Sequence, residues 1–192
     1  MKKITIITFC LLALGSTIFA YDLSVGFGAV YGIVKDRWDL DDGTNNVFTR
    51  NQYGGFAFFG TRYTEFNFSV RYSANDFIRM DGTPDNDSTL MLNVGAYGKF
   101  PIPLGTMFVL FPTIGVDFDA VEGFTYLWFR GGIGLDVFFT ERFFLRGQAL
   151  YGYGIEPFFL LSKATGLNYN DDWEKVTPGH GPFFKLGIGW MF

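Results

Sequence analysis

The sequence predicts an all-β protein, a closed antiparallel up-and-down β-barrel of eight strands that crosses a membrane. The 192 residues include 25 Phe and 25 Gly, which combines a strand former with a residue that disfavours helices. Polar and apolar residues alternate with a period of two in eight segments. Charged residues fall on one face of these segments, and hydrophobicity spread over alternating strands is what a transmembrane barrel needs.

The N-terminus has the pattern of a secretory signal peptide, which we place at residues 1–20, with the barrel domain at residues 21–192. Lys2 and Lys3 precede the apolar stretch Ile4–Gly15, and Ala20 is the candidate cleavage position. A membrane-anchoring helix is the alternative, but the stretch is shorter than the roughly 20 residues that a bilayer crossing takes. Cleavage would remove Cys10, leaving no thiol or disulfide chemistry.

The first three segments show the alternation in its simplest form. Leu23–Val34 alternates apolar residues with Ser and Gly. In the second segment, Tyr53–Gly60, we expect Phe56 and Phe58 to face outward. The third, Glu65–Tyr72, interleaves four apolar residues with Glu, Asn, Ser and Arg, an order that no amphipathic helix gives.

The next three segments are Leu90–Phe100, Thr106–Phe118 and Tyr126–Phe138. Each places aliphatic and aromatic residues on one parity, and glycines and charges on the other. Pro112 interrupts the fifth segment, and proline is tolerated mainly at an edge, a bulge or a strand end.

The seventh segment is Phe143–Gly154 and the eighth is Phe183–Phe192. The eighth has one wholly apolar face, formed by Phe184, Leu186, Ile188, Trp190 and Phe192. A last strand of this kind, ending on Phe, resembles the C-terminal assembly signal of bacterial outer-membrane β-barrels.

The links between segments differ in length, which predicts the orientation of the barrel. The links after the second, fourth and sixth segments are short, whereas Lys35–Asn51, Ala74–Thr89 and Ile155–Pro182 are long and Asp119–Thr125 is intermediate. Outer-membrane barrels have short periplasmic turns and long extracellular loops. Both chain termini would then lie on the periplasmic side.

The charged parity predicts a filled interior. A soluble lipocalin-like barrel would also alternate, but a pocket lined by the charged set would leave the aromatic face exposed to water. We therefore predict a luminal ionic network with Glu65 opposite Lys99, Asp136 opposite Arg146 and Asp117 diagonal to Arg130. Its members are Glu65, Arg71, Lys99, Asp117, Arg130, Asp136, Arg146 and Lys185. The many luminal glycines either make room for large side chains, which we favour, or leave a cavity.

Aromatic residues on the lipid-facing parity gather near strand ends, which predicts an aromatic girdle at the membrane interfaces. The alternative is ordinary strand propensity. The predicted girdle comprises Tyr31, Tyr53, Tyr72, Tyr151 and Tyr153 at the loop end and Trp190 at the turn end.

Catalytic, metal and cofactor sites have little support in the sequence, and we predict none. The only histidine, His180, is followed by Pro182 where a lipid A deacylase would have its serine. Asp41, Asp42, Asp171 and Asp172 are loop carboxylates without a positioned partner. Arg50 stands where the last ligand of a calcium loop beginning at Asp39 would be.

The mature chain as a whole resembles the small eight-stranded outer-membrane proteins of the OmpA-domain, OmpX and OmpW kind. The resemblance implies location in the bacterial outer membrane and insertion by the barrel-assembly machinery. We expect a monomer in contact with outer-membrane lipid. The net charge of −4, which becomes −6 without Lys2 and Lys3, argues against a nucleic-acid partner.

Three functions follow from this resemblance. The first is non-enzymatic surface display, with binding, adhesion or envelope integrity carried by loops that offer Trp38, Phe77, Ile78 and Trp173 to an extracellular partner. The second is an OmpW-like conduit for a small apolar ligand. The third, which we favour least, is a lipid-modifying enzyme.

Overall fold

The computed structural model describes residues 23–39, 45–75, 77–78, 84–85, 88–121, 124–155 and 176–192. The predicted signal peptide, the loop residues Asp41, Asp42, Asp171 and Asp172, and Trp173 lie outside these ranges. Eight long strands account for most of the described chain. They are β1 (Ser24–Asp39), β2 (Asn45–Gly60), β3 (Thr64–Asn75), β4 (Ser88–Lys99), β5 (Phe108–Val121), β6 (Phe124–Phe138), β7 (Phe143–Ile155) and β8 (Val176–Met191).

The eight strands form a closed barrel, as the sequence predicts. Each strand pairs antiparallel with the next, and β8 pairs antiparallel with β1, so that the sheet has no long free edge. Ile102–Leu104 adds a short strand beside β5, and Phe77–Ile78 pairs with Pro84–Asp85 in the connection after β3. Within the described ranges, no helix has the length and apolarity to cross a membrane.

Side chains alternate strictly between the two faces of the barrel wall. Phe27, Ile133 and Leu186 are at least 55% exposed on the outside, whereas Val34 and Phe144 are fully buried inside. The outward row of β1 stays apolar from Leu23 to Ile33. That length matches the roughly 9–11 residues that a tilted strand needs to cross a bilayer.

Several strands extend further at the loop end than the apolar pattern predicts. β1 continues to Asp39 in unbroken register with β2, and β8 begins at Val176 rather than Phe183. β5 and β6 leave only residues 122–123 between them, where we expected the link Asp119–Thr125. Backbone hydrogen bonds do not depend on side-chain polarity, so the pairing continues after the alternating apolar pattern has ended.

The prediction that Phe56 and Phe58 face outward is wrong. Both rings are buried inside the barrel, with exposures of 4% and 3%, while Phe59 on the opposite parity is 56% exposed. Phe56 and Phe58 lie directly across from Gly28 and Gly26 of β1, which have no side chains to fill the lumen there. Apolar residues occur on both parities of this segment, so its composition alone could not determine which face is luminal.

Pro112 occupies a position where a missing N–H is tolerated. Its carbonyl accepts a hydrogen bond of 3.0 Å from the Phe100 amide, just beyond the last β4–β5 pair, Lys99 with Thr113. The amide and carbonyl of one strand residue point to the same side. Pro112 therefore lacks its N–H at the point where the partner of β5 changes from β4 to Ile102–Leu104, and the strand pairing is interrupted there. Gly105, with φ of 78°, forms the turn that returns the chain to β5.

Candidate functional site

The barrel interior contains every member of the predicted luminal network. All eight side chains are buried, with exposures from 0% to 6%. Asp119, predicted to lie in a loop, is also fully buried because β5 continues past it. Among the described residues, the buried charges are therefore five cations and four carboxylates.

The first ionic cluster is centred on Arg146 of β7. Its guanidinium donates to both carboxylate oxygens of Asp136, with Nε–Oδ1 and Nη2–Oδ2 distances of 2.7 and 2.6 Å. Nη1 donates to Oε2 of Glu65, which also accepts from Lys99 Nζ at 3.4 Å. Asn67 donates to the other Glu65 oxygen at 2.9 Å. Arg146 thus bridges two carboxylates from different strands, the charge-assisted geometry that guanidinium groups favour.

The strand register confirms one predicted cross-strand pair and corrects another. Asp136 and Arg146 are direct partners, as predicted. Glu65 lies opposite Tyr97 rather than Lys99, so the predicted partner is wrong by two positions along β4. The Glu65–Lys99 ion pair still forms, because the long lysine side chain reaches the diagonal position.

The second ionic cluster joins β3, β4, β5 and β6. Arg130 Nη1 donates to Asp117 Oδ2 at 2.6 Å, from the diagonal position predicted, and the Tyr97 hydroxyl donates to the same oxygen at 2.5 Å. Arg71 donates to Asp119, which also accepts from the Asn93 amide at 2.6 Å. The predicted ionic network omits Asp119, although Asp119 shares the luminal parity of Asp117, and it omits the neutral donors Tyr97 and Asn93.

Aromatic rings pack between the ionic clusters. The Arg130 guanidinium carbon lies 3.7 Å from the Phe183 ring centroid, and that of Arg146 lies 4.4 Å from the Phe58 centroid. Several luminal glycines face such rings, as Gly154 does the Trp128 indole. This contact supports the packing interpretation of the luminal glycines over a cavity.

Lys185 differs from the other buried cations. Its side chain is only 4% exposed, and among the described residues no acceptor lies within hydrogen-bond distance of Nζ. The ammonium instead lies 4.7 Å from the Tyr97 ring centroid and 5.6 Å from that of Phe56. Cation–π contacts offset only part of the cost of removing an ammonium from water.

We expect Lys185→Met to raise the free energy of unfolding by about 1 kcal/mol, since replacing a poorly paired buried charge with an apolar residue is often stabilising. Urea titration of the refolded protein in detergent micelles measures the change. Lys99→Met is the matched control, because Lys99 pairs with Glu65 and its loss should be destabilising. A fall in stability for Lys185→Met would mean that Lys185 balances the carboxylates from a distance.

The outer face holds the two other predicted residue sets. All five side chains of the predicted assembly signal are exposed, as are the six of the predicted girdle. Tyr31, Tyr53 and Tyr72 lie side by side in register on β1, β2 and β3, and the ring centroids of the last two are 6.3 Å apart. Trp190 lies at the other end, next to Phe143. Their roles in membrane contact and assembly stay predictions.

His180 lies within β8, on the outer face and not in the loop above it. Its Nδ1 shares a hydrogen bond of 2.7 Å with the Tyr151 hydroxyl, and it is the cross-strand partner of both Lys35 and Tyr153. In the described ranges, no three His, Cys, Asp or Glu side chains form a group that could hold a metal ion.

Comparison with known proteins places this geometry in a structural class. No protein-family model and no curated sequence matches the chain. Neisserial surface protein A matches 88% of this chain and 97% of its own, with 11% identity and a TM-score of 0.50. The N-terminal β-barrel domain of Pseudomonas aeruginosa OprF matches 88% of this chain and 97% of its own, with 16% identity and a TM-score of 0.41. Ail, the attachment invasion locus protein of Yersinia pestis, matches 90% of this chain and 99% of its own, with 14% identity and a TM-score of 0.38.

Identities this low bear on fold and not on activity. The closed eight-stranded architecture and the similarity to Neisserial surface protein A agree. The chain has the fold of the small outer-membrane β-barrels.

Proposed function

We propose that this protein is a non-enzymatic integral outer-membrane barrel that anchors its loops at the cell surface and does not conduct solutes. The observation that carries the proposal is the distribution of charge across the barrel wall. Described strand residues between the turn end and the level of Lys35 and His180 have no outward charged side chain, while nine charged residues are buried inside.

The outward surface favours lipid as its environment. Phe27, Phe68 and Ile114 are each at least 49% exposed and belong to an apolar band around the wall. Soluble monomers rarely expose apolar patches larger than a few hundred Å². A bilayer removes that surface from water. It also explains the lack of outward charge in the apolar band, because a basic side chain facing lipid at the midplane costs roughly 2–4 kcal/mol.

The luminal packing favours a closed interior. A water-filled channel would leave the luminal side chains accessible to solvent, yet Arg71, Asp119 and Phe183 are 0% exposed and Trp128 is 1% exposed. Eight strands enclose little more than the volume of their own side chains. This packing supports the surface-display hypothesis over a luminal route for a small apolar ligand.

The loops are assigned the proposed role because the barrel wall faces lipid and the lumen is filled with side chains, which leaves the loops as the surface in contact with the cell exterior. The connections at the end opposite the termini contain most of the acidic residues of the chain. A rigid barrel that positions variable loops is a common arrangement for binding proteins. The proposed partner of these loops is extracellular.

Planar-bilayer recording tests the proposal. The refolded protein, shown to be inserted by its heat-modifiable migration in SDS gels, should give no steady unitary current, whereas a general porin in the same membrane should conduct. Steady channels that a small apolar ligand blocks would favour the conduit instead. Failure of the protein to insert would contradict the membrane assignment itself.

A further inference from the structure

A basic and aromatic group lies on the outer wall where the apolar band ends at the loop side. It consists of Lys35 on β1, His180 on β8, and Tyr151 and Tyr153 on β7, and all four side chains are exposed. We call it the rim cluster. Neither the luminal network nor surface display by the loops uses it.

The strand register brings these side chains together. Lys35 and His180 are direct cross-strand partners, and His180 is likewise the partner of Tyr153. Directly opposed residues on one face have Cβ atoms roughly 4.5–5.5 Å apart. The ammonium and the imidazole can therefore contact one ligand together.

The hydrogen bond between Tyr151 and His180 occupies Nδ1 of the imidazole, so Nε2 is the nitrogen that remains available. The Tyr151 hydroxyl lies 2.7 Å from Nδ1 of His180. When this hydroxyl donates to Nδ1, the proton of the imidazole is on Nε2, which is then a free donor. Among the described residues, no carboxylate forms an ion pair with Lys35. Among the described residues, the rim cluster thus presents an ammonium without an anionic partner and, when the Tyr151 hydroxyl donates, an Nε2–H donor.

The height of the rim cluster indicates what it would meet. Toward the turn end, the next outward residues are Ile33 on β1 and Pro182 on β8. The outward residues after those are Tyr31 and Phe184, which belong to the apolar band. Tyrosine rings and lysine ammonium groups both favour the headgroup level of a bilayer. We propose that the rim cluster binds the phosphate of a lipid headgroup, with Lys35 supplying charge and His180 Nε2–H a hydrogen bond. This assignment rests on the proposed location in a membrane.

His180 also provides the probe, because it is the only histidine in the sequence. The imidazole ¹H–¹³C signal of untagged protein in phosphatidylcholine nanodiscs is followed as the fraction of phosphatidic acid increases. We expect a saturating shift for the wild type. Lys35→Gln should need about fivefold more phosphatidic acid for the same shift, since one basic group near an anionic membrane surface is lost.

Controls separate the lipid phosphate from other causes. Lys35→Arg, and Arg142→Gln at the exposed turn between β6 and β7, should titrate like the wild type. Equal titrations for Lys35→Gln and wild type would overturn the assignment, as would an equal response to inorganic phosphate at matched concentration.

Heat-modifiable migration of the same samples distinguishes the two proposals. Protein that is inserted but whose His180 signal does not respond would overturn the rim site alone. Protein that never inserts would overturn the membrane location and the rim site with it.

Discussion

Arg146→Met should lower the free energy of unfolding by about 3–5 kcal/mol, because it leaves Glu65 and Asp136 buried without their shared cation. Asp136 loses both guanidinium bonds, and Glu65 keeps only Lys99 at 3.4 Å and neutral amide donors. Methionine has nearly the length of the arginine stem, so packing against Phe58 and Phe144 is largely retained and the loss reports on charge. Urea titration in micelles, followed by the heat-modifiable band, measures it.

The control for Arg146→Met is Arg142→Met in the exposed turn, which should change stability by no more than about 0.5 kcal/mol. A double variant gives a sharper test. Asp136→Asn in the Arg146→Met background removes one uncompensated charge and should recover part of the lost stability. If Arg146→Met is as stable as the wild type, the luminal network does not hold the barrel closed.

The barrel could be predicted from the sequence because its outer face has a strict period of two. The Asp136–Arg146 pair could be predicted as well, since the turn at residues 139–142 is short and fixes the register of β6 against β7. The connection from β3 to β4 is long, and its midpoint does not determine a register. That difference explains why the predicted partner of Glu65, Lys99, lies two residues beyond the observed partner, Tyr97.

The incorrect orientation of Phe56 and Phe58 has a different physical cause. Phe56–Phe59 contains aromatic residues on both parities, so hydrophobicity cannot determine the inner face. Tyr53 could have done so, because a residue at an odd position facing lipid forces the even positions of a regular strand inward. The prediction places Asp119 in a loop because the alternating pattern ends at Phe118, although Asp119 continues the luminal parity of Asp117.

The close approach of β1 and β8 at the seam where the barrel closes predicts the second large effect. Gly28 and Gly187 are cross-strand partners there. A Cβ on Gly28 would lie only 2.8 Å from the Leu186 carbonyl carbon, which is backbone and cannot move away as a side chain can. Gly28→Val should therefore destabilise the barrel by at least about 3 kcal/mol, at the upper end of overpacking effects.

The control for Gly28→Val is Gly147→Ala, since no atom lies within 4 Å of a Cβ at Gly147 on the outward face of β7. Gly147→Ala should refold like the wild type, and the Gly28 variant should show a much smaller folded band in unboiled gels.

Gly28→Val matters beyond stability because the β1–β8 pairing is what makes the sheet a cylinder. An open sheet would expose Lys185 and Arg146 to lipid and leave the edges of β1 and β8 without hydrogen-bond partners, which hydrocarbon does not tolerate. Full refolding of Gly28→Val would mean that the seam is wide enough for a side chain, and the closed lumen on which the non-conducting role rests would then be doubtful.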